Sequence, residues 1–203
     1  MRRDRGMART GLTADGVDWS ASPMEVARTL EIVPLRSSPE VISALAETLV
    51  ETVANGGSVS FMHPLAPAVA AAFWTQSLAA AEAGGRVVLG AFEEGELVGT
   101  VTLLLDCPPN QPHRGEIAKM MVRVSRRGRG IARALMVEAE RIARERGRTL
   151  LTLDTATDDG AGPFYEKLGF TRAGVIPDYA LKPHGGLCGT IIYWKRIGAG
   201  PGA

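Results

Sequence analysis

Apolar residues along the chain change their period several times, and each change marks an element. LEIVPL alternates and predicts a short strand. From Pro39 the pattern turns helical through VISALAETLVETV, with proline in the first turn, where its missing N–H costs nothing. ANGG ends that helix with residues that tolerate a left-handed cap. SVSFMHPLAP reads as a loop, and AVAAAFWTQSLAAAEA as a second helix closed by Gly84 and Gly85. RVVLGAF and ELVGTVTLLLD are strands joined by Glu93-Glu94-Gly95, a hairpin signal. Three prolines make CPPNQPHRG a loop, because proline is excluded from a sheet interior. GEIAKMMVRV is a strand. In ARALMVEAERIARER, helical spacing is clear: Ile131, Ala132, Leu135, Met136, Ala139, Ile142 and Ala143 form one stripe. Glu140 with Arg144 and Arg141 with Glu145 stand four apart on its wet side, and Gly147 closes it. TLLTLDT is a strand, GPFYEKLG a short helix, and FTRAGVI and GTIIYWKRI are the final strands, with Asp178, Tyr179 and ALKPHGG in a loop between them.

The order β-α-α-β-β-β-α-β-α-β-β indicates an α/β fold, a mixed and mostly antiparallel sheet flanked by about four helices. The strand–helix–strand run from Glu116 to Thr155 asks for a central parallel pair with a right-handed crossover.

Composition narrows the function. The formal net charge of +1 over 203 residues argues against a general polyanion binder, so no nucleic-acid partner is expected. Two cysteines, Cys107 and Cys188, make neither a disulfide framework nor metal-ligand spacing; no metal and a reducing, cytoplasmic setting are expected. No apolar run approaches the roughly 20 residues of a membrane span. Residues 1–26 are polar and lack the apolar core of a secretory signal; they read as a flexible tail, with Met7 as an alternative start. Residues 27–198 read as a single domain, and 199–203 as a frayed end.

RRGRGIARAL (126–135) joins a strand to the most regular helix. Glycines at such a junction let successive N–H groups converge, and the helix N-terminus adds unpaired donors and a partial positive charge. The product is an anion site suited to a pyrophosphate; the competing reading is a tight turn with a charged rim. It is neither a Walker loop nor the GxGxxG fingerprint.

Arg127-Gly128-Arg129-Gly130-Ile131-Ala132 resembles the R-x-x-G-x-[GA] motif of the GCN5-related N-acetyltransferases. GEIAKMMVRV is similar to that family's central strand, GPFYEKLGF to its second hallmark, and the element order from Leu30 to Ile197 fits. More narrowly, LVETVANGGSVSFM, AKMMV, SRRGRGIARALM, LLTLDT and FYEKLGFTRAGVIPDYA resemble the tabtoxin-resistance acetyltransferases, which acetylate an amine of a small toxin. The resemblance implies acetyl-CoA as co-substrate, with its pyrophosphate on the N–H groups of Arg127, Gly128, Arg129, Gly130, Ile131 and Ala132. It implies pantetheine along Met120, Met121 and Val122, and the Val122 N–H on the thioester carbonyl.

An amine attacking a thioester must first lose a proton, so a base is needed. Glu116 and Asp154 are the candidates, each a carboxylate in an otherwise largely apolar strand. The plain alternatives are a salt bridge of Glu116 with Lys119 or Arg114, and a strand-end cap for Asp154. Tyr165 matches the tyrosine that protonates the leaving thiolate in many family members; otherwise it is a core aromatic like Phe164. His63, His113 and His184 lie in loops and read as solvated surface. Phe61, Met62 and Trp74, with Asp178 and Tyr179, are candidates for the acceptor pocket, although core packing explains Phe61 and Trp74 equally well. The expected activity is transfer of an acetyl group to a small-molecule primary amine by a monomer or homodimer. The alternatives are a protein N-terminus or lysine as acceptor, and a non-catalytic acyl-CoA sensor.

Overall fold

The computed structural model describes residues 29–198; the expected tails at 1–26 and 199–203 lie outside them. Seven strands form one sheet in the order β1-β2-β3-β4-β5-β7-β6. They are β1 (Leu30–Pro34), β2 (Arg86–Glu93), β3 (Glu96–Leu104), β4 (Arg114–Val122), β5 (Leu150–Ala156), β6 (Thr171–Leu181) and β7 (Leu187–Arg196). Only β4 and β5 run parallel, joined by the long helix α3 (Ile131–Glu145), as the strand–helix–strand pattern required. The other helices are α1 (Pro39–Ala54), α2 (Pro67–Glu82) and α4 (Gly162–Lys167). Among the described residues no helix is long and apolar enough to cross a membrane.

Strand alternation divides the interior in two. Val87, Leu89 and Val122 face α3 and α4, whereas Val88, Leu97 and Met121 face α1 and α2. α3 buries Ile131, Leu135, Met136, Ala139, Ile142 and Ala143, the stripe its sequence announced apart from half-buried Ala132. Its exposed face carries the ion pairs Arg144–Glu140 and Arg141–Glu145. Gly99 of β3 lets this helix sit close, since a Cβ there would stand 3.0 Å from the Met121 carbonyl oxygen and 3.2 Å from Ile131. α2 buries Ala70, Trp74, Ser77 and Leu78, one narrow stripe at helical spacing.

One element differs from its sequence pattern. β6 runs on to Leu181, so Asp178 and Tyr179 belong to a strand rather than a loop, and the turn to β7 is short. Proline ordinarily argues against a strand, but β6 is the sheet edge, where the missing N–H of Pro177 loses no ladder bond. The pairing with β7 breaks between Ile176 and Ala180, and Asp178 there takes φ 50°.

Candidate active site

β4 and β5 pair over only three positions, Arg114 with Leu150, Gly115 with Leu151, and Glu116 with Thr152. Beyond that rung they part. β4 stays paired to β3 but carries a bulge: Thr102 and Thr100 of β3 oppose Ala118 and Met121, so β4 has one residue extra. Lys119 absorbs it with φ 51°. From Ile117 to Val122 the β5-facing edge of β4 therefore has no strand partner. The gap opens into a cleft of about 1070 Å³ between the two strands, the start of α3, α4 and the segment 55–60 after α1.

The phosphate-type loop stands at one end of this cleft. Gly128 and Gly130 take φ 78° and 82°, the left-handed region that favours glycine. A Cβ at either would meet nothing within 4 Å, so the space before the loop is open. Ser38 caps α1 by accepting from the Val41 N–H at 3.2 Å, but no side chain caps α3. The Ala134 N–H makes the helix's first bond, to the Gly130 carbonyl, which leaves the N–H groups of Ile131, Ala132 and Arg133 without a helical partner. Of the loop's arginines, Arg126 and Arg127 line the cleft, but Arg126 and Arg129 are engaged by carboxylates. Arg126 pairs with Glu96 at 2.7 Å and Glu93 at 3.3 Å, and Arg129 reaches Glu93 at 3.6 Å. These pairs fasten the loop to the β2–β3 hairpin, and Arg129 does not line the cleft. Arg133, which its place on the wet side of the helix hid, does.

Met120, Met121, Val122, Arg127, Gly128, Gly130, Ile131 and Ala132 all line the cleft, as do Asp154 and Tyr165. Asp154 is exposed and accepts from the Thr190 hydroxyl at 2.9 Å. Tyr165 is 7% exposed; burial, reinforced by the charges of Asp154 and Asp159, pushes its phenol up to about 12. Glu116 is not in the cleft wall. Its carboxylate accepts from Arg114 at 2.8 Å, and the same guanidinium nitrogen donates to Thr152 at 2.8 Å.

The acceptor candidates divide. Tyr179 lines the cleft and is exposed; Asp178 beside it does not line it. Trp74 has no exposed surface and belongs to the core beneath α1 and α2, which removes it from any pocket wall. Phe61 packs edge-on against Phe73, 5.2 Å between centroids, and Met62 is exposed; neither lines the cleft. Instead the α1–α2 connection supplies Ser58 and Ser60. It is tied to the β6–β7 turn, where the His63 N–H donates to the Pro183 carbonyl at 2.8 Å. His184 lies 3.1 Å from the Ala54 carbonyl, and the two imidazole rings are 4.5 Å apart. Sequence reasoning passed over Lys119 as well, because nothing local marks a lysine for a bulge.

An open loop with uncapped N–H groups, an unpaired strand edge, Asp154 and Tyr165 thus share one cleft. A profile of the acetyltransferase (GNAT) family matches residues 50–170. The chain belongs to that family. The N-alpha-acetyltransferase MAK3 of Arabidopsis thaliana is 37% identical over 92 residues, 45% of this chain and 48% of that protein; the chain thus spans about half the length of this curated relative. The fold is that of the ribosomal-protein-alanine N-acetyltransferase of Brucella melitensis, with TM-score 0.71, 23% identity, and coverage of 82% of this chain and 99% of that one. It is likewise that of yncA from Salmonella typhimurium, solved with its cofactor acetyl-CoA, with TM-score 0.68, 18% identity, and coverage of 86% and 98%.

Proposed function

We propose that the chain is an acetyl-CoA-dependent N-acetyltransferase that acylates a primary amine by direct attack. The observation that carries this reading is the continuity of the cleft. One space runs from the uncapped start of α3, past the unpaired edge of β4, to Asp154 and Tyr165. The residues fit the co-substrate. The orphan N–H groups of Ile131, Ala132 and Arg133 and the open ground at Gly128 and Gly130 suit a pyrophosphate. The free β4 edge suits an amide-bearing pantetheine arm, which pairs as an added strand would. When bound, acetyl-CoA supplies the activated acetyl group.

The protein's own tasks are then to hold, deprotonate and protonate. The Val122 N–H, on the unpaired stretch, is assigned to polarising the carbonyl. Asp154, steadied by Thr190, takes the ammonium proton of the acceptor. Tyr165 keeps its proton over the whole physiological range and is the acid for the leaving thiolate. Glu116 stands behind Asp154 as a second carboxylate, tied to Arg114.

A small-molecule amine, of the toxin, antibiotic or amino-acid-like kind, is the preferred acceptor. The bonds of His63 to Pro183 and of His184 to Ala54 fasten the α1–α2 connection, which carries Ser58 and Ser60, to the β6–β7 turn, and an enclosed amine between them is the reading we adopt. A protein N-terminus is the second reading, favoured by the likeness to MAK3. A thiol-release screen with small amines and short peptides, beside an acetyl-CoA titration, tests both. Turnover on peptides alone would transfer the assignment to a protein acceptor. Tight acetyl-CoA binding with no turnover would make the domain a sensor.

A further inference from the structure

Two residues of the cleft wall hold backbones that L-residues rarely adopt. Lys119, at the β4 bulge, has φ 51°, and Ser60, in the α1–α2 connection, has φ 72°. Each costs about 1–2 kcal/mol relative to an ordinary conformation, so the surrounding fold must enforce it. They are 59 positions apart in sequence, yet Lys119 Nζ donates to Ser60 Oγ at 3.1 Å. Behind them lies the ring of Phe73, 5.7 Å from Nζ to its centroid.

We infer that Lys119 and Ser60 form an anion-binding subsite that takes a carboxylate carried by the acceptor. The inference rests on the acyl-transfer reading above and sharpens it: the acceptor bears a negative group near its amine. Lys119 is the right group because it is charged and poorly paired. Among the described residues it forms no ion pair, and one hydroxyl is its only hydrogen-bond partner. An ammonium has three donors, so two remain. Ser60, having accepted from Nζ, still has its O–H to donate. A carboxylate placed there would receive one charge-assisted and one neutral hydrogen bond, with Phe73 excluding water on one side. Burial holds the Lys119 ammonium below its ordinary range, against the opposing pull of Asp154 and Glu116. An incoming anion would offset that cost by Coulomb attraction to the ammonium.

The carboxylates that face Lys119 are committed elsewhere. Glu116 is held by Arg114 and Asp154 by Thr190. On the β5 side Asp154 offers a place for the acceptor's ammonium, and on the β4 side Lys119 offers a place for its carboxylate. The parted strands thus present opposite charges across one cleft, and a zwitterion matches both.

The test uses matched pairs: common L-amino acids, each beside the amine left by its decarboxylation and beside its methyl ester. Binding to the CoA-loaded protein is measured by calorimetry, and kcat and KM by thiol release. The carboxylate-bearing member should be favoured by about tenfold or more, the usual range for a charge-assisted contact. That preference should appear in KM, vanish in K119M, shrink in S60A and return in part in K119R. Equal binding of the paired compounds by the parent overturns the inference, as does a preference that survives in K119M. S60A and the parent's own discrimination decide the matter should K119M fold poorly. Failure to bind acetyl-CoA would sink the acyl-transfer reading alone, since calorimetry on the unloaded protein still measures the preference.

Discussion

Arg114 holds Glu116 at 2.8 Å on the last rung that joins β4 to β5, and the same nitrogen holds Thr152, the partner of Glu116 on that rung. The guanidinium thus clips the two strands together at the apex from which the cleft opens. A carboxylate engaged in this way has a structural occupation, whereas Asp154 lines the cleft and is held only by a hydroxyl. D154N should therefore lower kcat by about 10²-fold or more, the usual worth of a positioned base. E116Q should lower it by a smaller factor. The half-exposed ion pair it loses is worth about 0–1 kcal/mol of stability. Steady-state thiol release on the best acceptor checks the order, and the reverse order would make Glu116 the base.

Gly130 separates two explanations of RRGRGIARAL. In the free protein a Cβ there would touch nothing, so G130A carries only the left-handed backbone penalty of about 1–2 kcal/mol. If the open ground before α3 receives a pyrophosphate, G130D brings both bulk and negative charge into it. The acetyl-CoA Kd should rise about tenfold or more in G130D and less in G130A. Calorimetric titration reads both, and an unchanged Kd in G130D would return the loop to a turn with a charged rim.

Arg126 belongs to the same stretch but should behave in the opposite way. It pairs with Glu93, which is 6% exposed and which Arg129 reaches at only 3.6 Å. Removing both arginines leaves a buried carboxylate without a counter-charge, a loss on the order of 3–5 kcal/mol. R126A should thus lower Tm, and R126A/R129A should lower it much further. The acetyl-CoA Kd of R126A should move far less than that of G130D. A large Kd change in R126A at constant Tm would show that the side chain touches the ligand.

The elements were legible where local chemistry decides them. The stripe from Ile131 to Ala143 buries as its period implies, and Pro39 opens α1 where proline belongs. The site was legible only in part. Gly128, Gly130 and Asp154 come together because the β-α-β unit brings the ends of adjacent strands to one place, and α4, which follows β5, adds Tyr165. Lys119 was illegible because its bulge depends on a one-residue mismatch with β3, a partner that no local pattern names. The parting of β4 from β5 has the same origin. The run of β6 past Ile176 was illegible because a strand holds Pro177 only at a sheet edge, and edge position is a property of the whole sheet. Trp74 could be read as pocket or core, and only the packing of α1 against α2 decided for the core.

Tyr165 ties stability and chemistry to one proton. Its phenol sits at about 12 rather than 10.0, chiefly through burial, so the neutral form is the one the fold prefers. The folded-state value is the raised one. The stabilisation is therefore complete below the unfolded value and is lost as pH climbs through the folded one. Alkaline titration should show Tm falling between about pH 10 and 12, and Y165F should flatten that fall. In turnover the same shift keeps the acid loaded, so kcat should show no alkaline loss from this group below about pH 11. Y165F should reduce kcat while leaving the acetyl-CoA Kd nearly unchanged, since the phenol is assigned to the leaving thiolate and not to binding. Full turnover in Y165F would leave the phenol a core group and pass the leaving proton to another donor.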